Sequence, residues 1–241
     1  MGNVLVNDAY LYGIADAIRE KHGTEKKYLP SEMADAVRAI QSGGEDLMQY
    51  GGSLNRFFWK AEFPEGTDLV IDMPKFGVNN SDQSLYYAFA DTTKGLRSVK
   101  LKCNDNGVAR SAVCAFANSC VEIIDLSEFP VTFSGCSQIF NNCRNLKYIY
   151  GELDVTNAGL DYFAKFDTLL EEIRFKEGCI CNSLTLDTNS ALSQNSIQSI
   201  INGLKDLSES TSKTLTFHKD VKAKLTEEQI ATITSKNWTL A

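Results

Sequence analysis

Ser111 to Leu126 reads SAVCAFANSCVEIIDL, and Cys136 to Gly151 reads CSQIFNNCRNLKYIYG. Each places a small or apolar residue before a phenylalanine and follows the pair with apolar residues at strand-like positions. The arrangement recurs upstream in SLYYAFADTTKGLRSVKL (84–101) and downstream in LDYFAKFDTLLEEIRF (160–175). The anchors Phe89, Phe116, Phe140 and Phe163 are 27, 24 and 23 residues apart. Behind them come Leu96, Val99 and Leu101, then Val121, Ile124 and Leu126, then Leu146 and Ile149, then Leu170, Ile173 and Phe175. Anchor and strand pattern recur together, which argues against chance dipeptides in an ordinary α/β domain.

A unit of this length cannot bury its own apolar face, so consecutive units stack and the phenylalanines fill the space between layers. The period falls in the leucine-rich-repeat range. The sequence therefore predicts an α/β fold: an N-terminal helical hairpin followed by an irregular leucine-rich-repeat solenoid with a strand sheet and short helices. Three segments are expected: a helical hairpin docking module (1–43), a linker and β-hairpin cap leading into the repeats (44–80), and the solenoid with a C-terminal helix–strand cap (81–241).

Between Asn7 and Ile40 apolar residues fall at helical spacing, in one stripe of Leu11, Ile14, Ala15 and Ile18 and another of Met33, Val37 and Ile40. Asn7 or Asp8, Gly23 and Ser31 sit where caps are needed. Short helices with narrow stripes need a surface to dock on, so Leu11, Ile14, Ile18, Met33, Val37 and Ile40 are candidate docking residues. Ser42-Gly43-Gly44 reads as a linker. Phe57, Trp59, Ala61 and Phe63, then Leu69, Ile71 and Met73, alternate on either side of Pro64-Glu65-Gly66, which predicts a β-hairpin. Near the C-terminus, Ile197, Ile200, Ile201 and Leu204 make a helical stripe between strands at Leu184–Leu186 and Leu215–Phe217. Thr226-Glu227-Glu228-Gln229 is a capping box, with Leu225 and Ile230 as its staple, and Asn237 closes the helix before a strand at Trp238-Thr239-Leu240.

Composition narrows the function. The 241 residues are 43% hydrophobic and carry a formal charge of -7 without a compensating Lys/Arg cluster, so nucleic acid is not expected as a partner. The start MGNVLVNDAYLY lacks the basic and long apolar parts of a signal peptide, and no window reaches bilayer-spanning length, so synthesis in a cytoplasm is expected. Seven cysteines, an odd number, suit a reduced compartment and buried thiols. His22 and His218 stand apart, and Cys179-x-Cys181 lacks zinc-site spacing. Asp105-Asn106-Gly107 reads as a turn, and nucleophile-elbow, phosphate-loop and dinucleotide motifs are missing. No catalytic residue, metal or cofactor is expected.

A solenoid's binding surface is its sheet face. The outward residues are Ser98, Lys100 and Lys102, then Ile123 and Asp125, then Tyr148 and Tyr150, then Glu172, Arg174 and Lys176. Two tyrosines among charges of both signs suit a protein or glycan contact, although ordinary strand-surface composition accounts for them too.

AFANSCVEIIDL and IFNNCRNLKYI resemble the BspA-type leucine-rich repeats, and the resemblance makes Cys120 and Cys143 core residues. YLYGIADAIREKHGTEKKYLPSEMADAVRAI is similar to a segment near the start of tail and other structural proteins of phages of Gram-positive bacteria. SIQSIINGLKDL with LTEEQIATITSKNWTL resembles the end of those proteins. The resemblance spans nearly the whole chain, departing where the first and fourth repeats lack the cysteine and Asn237 stands in place of glycine. It implies a non-enzymatic virion component of the tail or baseplate region, made in the bacterial host cytoplasm. Its partners would be other virion proteins, a host surface or a host protein, with homo-oligomers in the particle compatible. The alternative implied is a phage-encoded intracellular protein that binds and inhibits a host factor such as an immune effector.

Overall fold

A computed structural model of the chain describes residues 54–73, 85–103, 108–109, 111–156 and 158–241. The chain divides into two units, Met1–Glu45 and Asp46–Ala241, and every described residue belongs to the second. Parallel strands dominate it. β1 (Thr67–Met73), β2 (Leu96–Cys103), β4 (Ile123–Glu128), β6 (Tyr148–Leu153) and β7 (Glu172–Phe175) form one sheet in the order β1-β2-β4-β6-β7, every pairing parallel. Two-residue strands β3 (Val108–Ala109) and β5 (Thr132–Phe133) pair beside it. Each turn of chain thus lays one strand next to the last, and every apolar residue from Leu96 to Phe175 named above as following a Phe anchor is buried.

What brings the chain back between strands is a turn repeated five times. Arg56 and Lys60, Tyr87 and Asp91, Cys114 and Asn118, Gln138 and Asn142, and Tyr162 and Phe166 all have φ between +52 and +70. A left-handed conformation costs a non-glycine residue about 1–2 kcal/mol, and it persists because neighbours hold it there. The backbone provides the hold. In the first turn the amides of Arg56, Phe58 and Lys60 donate to the carbonyls of Tyr86, Ala88 and Ala90 in the next coil, and the intervening amides of Phe57, Trp59 and Ala61 donate three residues back. The later coils repeat the pattern, with Tyr87, Phe89 and Asp91 donating to Val113, Ala115 and Ala117.

Inside this column the rings stack. Centroids lie 5.1 Å apart for Phe58–Phe89, 4.9 Å for Phe89–Phe116 and 5.9 Å for Phe116–Phe140, with planes within 26°. Phe140–Phe163 is instead edge-on at 90°. The reason is register: the fifth turn runs from Tyr162 to Phe166, so Ala164 holds the ring position and Phe163 precedes it by one residue. Along the left-handed corner, Trp59 Nε1 donates to Asp91 (3.0 Å), Asn118 to Asp91 (2.8 Å), Asn142 to Asn118 (2.8 Å) and Arg144 to Asn142 (2.8 Å). Asn and Asp tolerate the left-handed region best, so the residues that ease the turn also link the layers. One residue further on is a buried polar column: Thr92 and Ser119 hydroxyls 2.7 Å apart, Cys143, then Asp167. The Cys143 thiol donates to Phe116 O at 2.8 Å, consistent with a core thiol.

Two sequence expectations need correction. The first is the N-terminal helical hairpin ahead of an irregular leucine-rich-repeat solenoid. The fold is instead α/β with parallel strands and, among the described residues, three helices that all lie C-terminal to Ser193. Residues 1–43, to which the hairpin was assigned, lie outside the described residues, and so do Leu11, Ile14, Ile18, Met33, Val37 and Ile40. Apolar spacing states which face a helix would bury, while formation of so short a helix rests on tertiary packing that periodicity does not encode. The second correction concerns the β-hairpin over 57–73. Residues 55–60 are the first left-handed turn, and β1 pairs in parallel with β2. In this turn every second amide points along the stack, so its side chains alternate too and imitate a strand's period of two.

After β7 the units lengthen. β8 (Leu184–Leu186), β9 (Lys213–Phe217) and β10 (Trp238–Leu240) form a second parallel sheet in the order β10-β9-β8, connected by α1 (Gln194–Gly203), α2 (Lys219–Lys222) and α3 (Glu227–Ser235). Ile197, Ile200 and Ile201 of α1 are buried. Ser196 and Ser199 accept from the outer amides of Ile173 and Phe175, both at 2.9 Å, so α1 closes the edge of β7 that would otherwise invite another strand. At the far end of α1, Lys236 Nζ donates to the carbonyls of Ile201, Asn202 and Leu204. The capping box forms as the sequence implies: Gln229 N donates to Thr226 Oγ1 at 3.1 Å and Thr226 N to Gln229 Oε1 at 3.0 Å. Leu225 packs on the core, whereas Ile230 stays 41% exposed.

Candidate partner-binding face

The outward face of the five-stranded sheet holds the side chains singled out from sequence, and cross-strand pairing sets their neighbours. Ser98 is opposite Ile123 and Ile123 opposite Tyr148, while Lys100 is opposite Asp125 and Asp125 opposite Tyr150. Beyond these rows the register changes. Lys102 pairs with Glu128, so three residues of β4 span what two span on β2, and Tyr148 pairs with Glu172 but Glu152 with Arg174. These are β-bulges, which re-aim side chains at the end of a strand. They nest on each other: Gly151 has φ +89, and a Cβ there would lie 2.5 Å from Leu126 C and 2.6 Å from its O. Only glycine fits that approach.

The face is knit by ion pairs. Lys100 Nζ is 3.2 Å from Asp125 and 2.6 Å from Glu128, and Lys102 is 3.3 Å from Glu128. Bonds to Glu128 and Asp125 hold the Lys100 ammonium above its ordinary pKa, and Lys100 and Lys102 together hold Glu128 below the usual carboxylate range. Partial burial pushes Asp125 up, but the hydroxyl and amide of Ser127 and the ammonium of Lys100 outweigh it and leave the group lowered. At the β1 edge Arg97 and Ser98 both bond Asp68, whose pKa falls to about 2. At the other end Asp154, with Lys176 Nζ at 2.8 Å and the Thr156 and Thr132 hydroxyls also donating to it, is held near 2 against the upward push of burial. Such pairs fix geometry more than they add stability.

Tyr148 and Tyr150 have parallel rings, 1° between planes and 5.9 Å between centroids, and Tyr150 is 45% exposed. The negative field of Glu171 raises the Tyr148 phenol, whose hydroxyl donates to that carboxylate at 3.3 Å. The fold thus brings Lys100, Lys102, Asp125, Tyr148, Tyr150, Glu172 and Arg174 onto one surface. Glu128, Glu152 and Asp68 belong to the same surface and escaped the sequence reading: the β4 bulge breaks the alternation at Glu128, whereas Glu152 keeps the alternation of Tyr148 and Tyr150 but follows Gly151, where the repeat pattern ends. Two concavities meet at Glu152. One, of about 620 Å³, includes Ser127, Thr132, Asp154 and Lys176, and the other, of about 520 Å³, lies between β7 and α1.

Among the described residues no group of three His, Cys, Asp or Glu side chains is placed to hold a metal ion, and no helix is long and apolar enough to cross a membrane. Comparison with protein-family models, curated proteins and solved structures returns no match from any of the three.

Proposed function

We propose that this protein is a non-enzymatic structural and interaction component of a phage particle, in the tail or baseplate region, which meets another virion protein or a host surface through the outward face of its five-stranded sheet. The observation that carries the reading is that face: two parallel tyrosines set among side chains of both signs, of which Lys100, Lys102, Asp125 and Glu128 are joined by ion pairs. A preorganised aromatic and charged surface loses little side-chain entropy on binding, which favours recognition. The likeness of the N- and C-terminal segments to phage structural proteins supplies the particle context.

The test is quantitative mass spectrometry of purified particles from the source phage, with the lysate as control. Enrichment at a fixed copy number per particle is the expected result. Abundant protein in the lysate and none in particles would overturn the virion assignment and move the reading to an intracellular protein that binds a host factor.

A further inference from the structure

The concavity between β7 and α1 has a chemistry of its own. It is formed chiefly by Glu152, Arg174, Glu177, Asn195, Gln198 and Asn202, has a volume of about 520 Å³, and has Phe175, only 4% exposed, as its apolar contribution. The volume lies within the roughly 300–1,000 Å³ of small-ligand sites, but those are lined mainly by apolar side chains and this one is not. Its polar groups are planar and mixed: two carboxylates accept, a guanidinium donates, and three amides do both. Two of the amides are also held in place. Gln229 Nε2 donates to Gln198 Oε1 at 3.0 Å and Gln198 Nε2 to Asn202 Oδ1 at 2.9 Å, so the relay ends on the Asn202 amide at the groove.

Three ligand classes fit poorly. An apolar molecule would desolvate six polar side chains with little area in return. An anion would face two carboxylates against one guanidinium. An extended peptide adding as a strand would need the outer amides of β7, and those of Ile173 and Phe175 are already bonded to Ser196 and Ser199. We infer that the groove binds a neutral glycan: hydroxyls that each donate and accept match the mixed planar set, and Tyr150, two residues before Glu152 on β6, offers a ring face for the C–H side of a pyranose. This deepens the sheet-face reading and shares Tyr150 and Arg174 with it.

The test is saturation-transfer NMR and calorimetry on the full chain with a panel of neutral oligosaccharides of glucose, galactose, rhamnose and N-acetylglucosamine, and with sialylated and uronate oligosaccharides beside them. At least one neutral saccharide should bind with Kd at or below about 5 mM. Its affinity should change less than about twofold across a tenfold range of salt, because no charge pairing drives it. Tyr150→Ala and Asn202→Ala should each weaken it about tenfold or more. Lys222→Ala, exposed on α2 and outside both the groove and the sheet face, should leave it unchanged, with circular dichroism confirming that all three variants fold. The inference is overturned if no neutral saccharide binds, if only acidic ones bind with steep salt dependence, or if the groove variants bind as the wild type does. Particle enrichment with no saccharide binding would leave the proposed function standing and sink only this inference.

Discussion

Asp167→Asn should make the protein more stable, and increasingly so as pH rises. Asp167 has no exposed surface, its Oδ1 accepts from Cys143 N at 2.7 Å, and its Oδ2 has no hydrogen-bond partner among the described residues. Asn189, directly beneath it, donates to the carbonyls of Ala164 and Asp167, and its own Oδ1 likewise has no partner. Burial pushes the Asp167 carboxyl up to about 8 despite the bond from Cys143, from an ordinary value of 3.8. The folded state therefore favours the proton. That contribution is complete below pH 3.8 and is lost as pH rises through 8, at about 1.4 kcal/mol per unit, amounting to about 4 kcal/mol at pH 7. Asparagine keeps the acceptor for Cys143 and cannot ionise, so the variant escapes the loss. Urea unfolding of both proteins at pH 4.5, 6, 7 and 8, followed by far-UV circular dichroism, reads the difference directly, because Asp68 and Asp154 titrate alike in each. The variant should gain about 3–4 kcal/mol on wild type between pH 4.5 and 7. A difference that stays within about 1 kcal/mol over that range, or a variant less stable at pH 8, would refute the argument.

Phe116→Ala should cost about 3–5 kcal/mol in urea unfolding, because the ring is stacked on both sides and buried, while Lys100→Ala should cost under about 1 kcal/mol as a partly exposed ion-pair member. Gly151→Ala should cost at least about 2 kcal/mol, since the new Cβ meets backbone of the β4 bulge, whereas Gly178→Ala, with φ +65 but open space around it, should cost only about 1 kcal/mol; thermal unfolding of the two variants side by side checks the contrast. Thr226→Ala removes one half of the capping box and should cost about 1 kcal/mol, with hydrogen exchange accelerating first at the amides of Glu228 and Gln229.

Legibility followed the range of the interaction. The capping box at Thr226 and Gln229, the strands at Leu184–Leu186 and Trp238–Leu240, and the buried strand positions could all be read from sequence, because each is set by residues within one or two turns of chain. The Phe anchors are legible as a repeat, yet the fourth, Phe163, stands one residue before the ring position of the fifth turn: aligning on phenylalanine follows the side chain, while the stack follows the left-handed backbone pair that Tyr162 and Phe166 supply. The first turn reads in sequence as part of a hairpin because its alternation matches a strand's. Of the face, Lys100, Asp125, Tyr148 and Arg174 were found by simple alternation. Glu128 lies past a bulge that no local pattern marks, Glu152 follows the glycine at which the repeat pattern ends, and Asn195, Gln198 and Asn202 come from the polar side of α1, a side that reads as ordinary solvent surface.

By itself, the sequence determined that the units repeat and which apolar residues turn inward, because burial pattern and cap chemistry are local properties of the chain; of the seven thiols expected in the core five are buried, while Cys120 and Cys181 are only partly so. Tertiary structure alone decided the layer register, the bulges that bring Glu152 opposite Arg174, and the concavity between β7 and α1. Those depend on which coil lies against which, and hydrogen bonds such as Phe58 N to Ala88 O or Ile173 N to Ser196 Oγ join residues 23 to 30 positions apart.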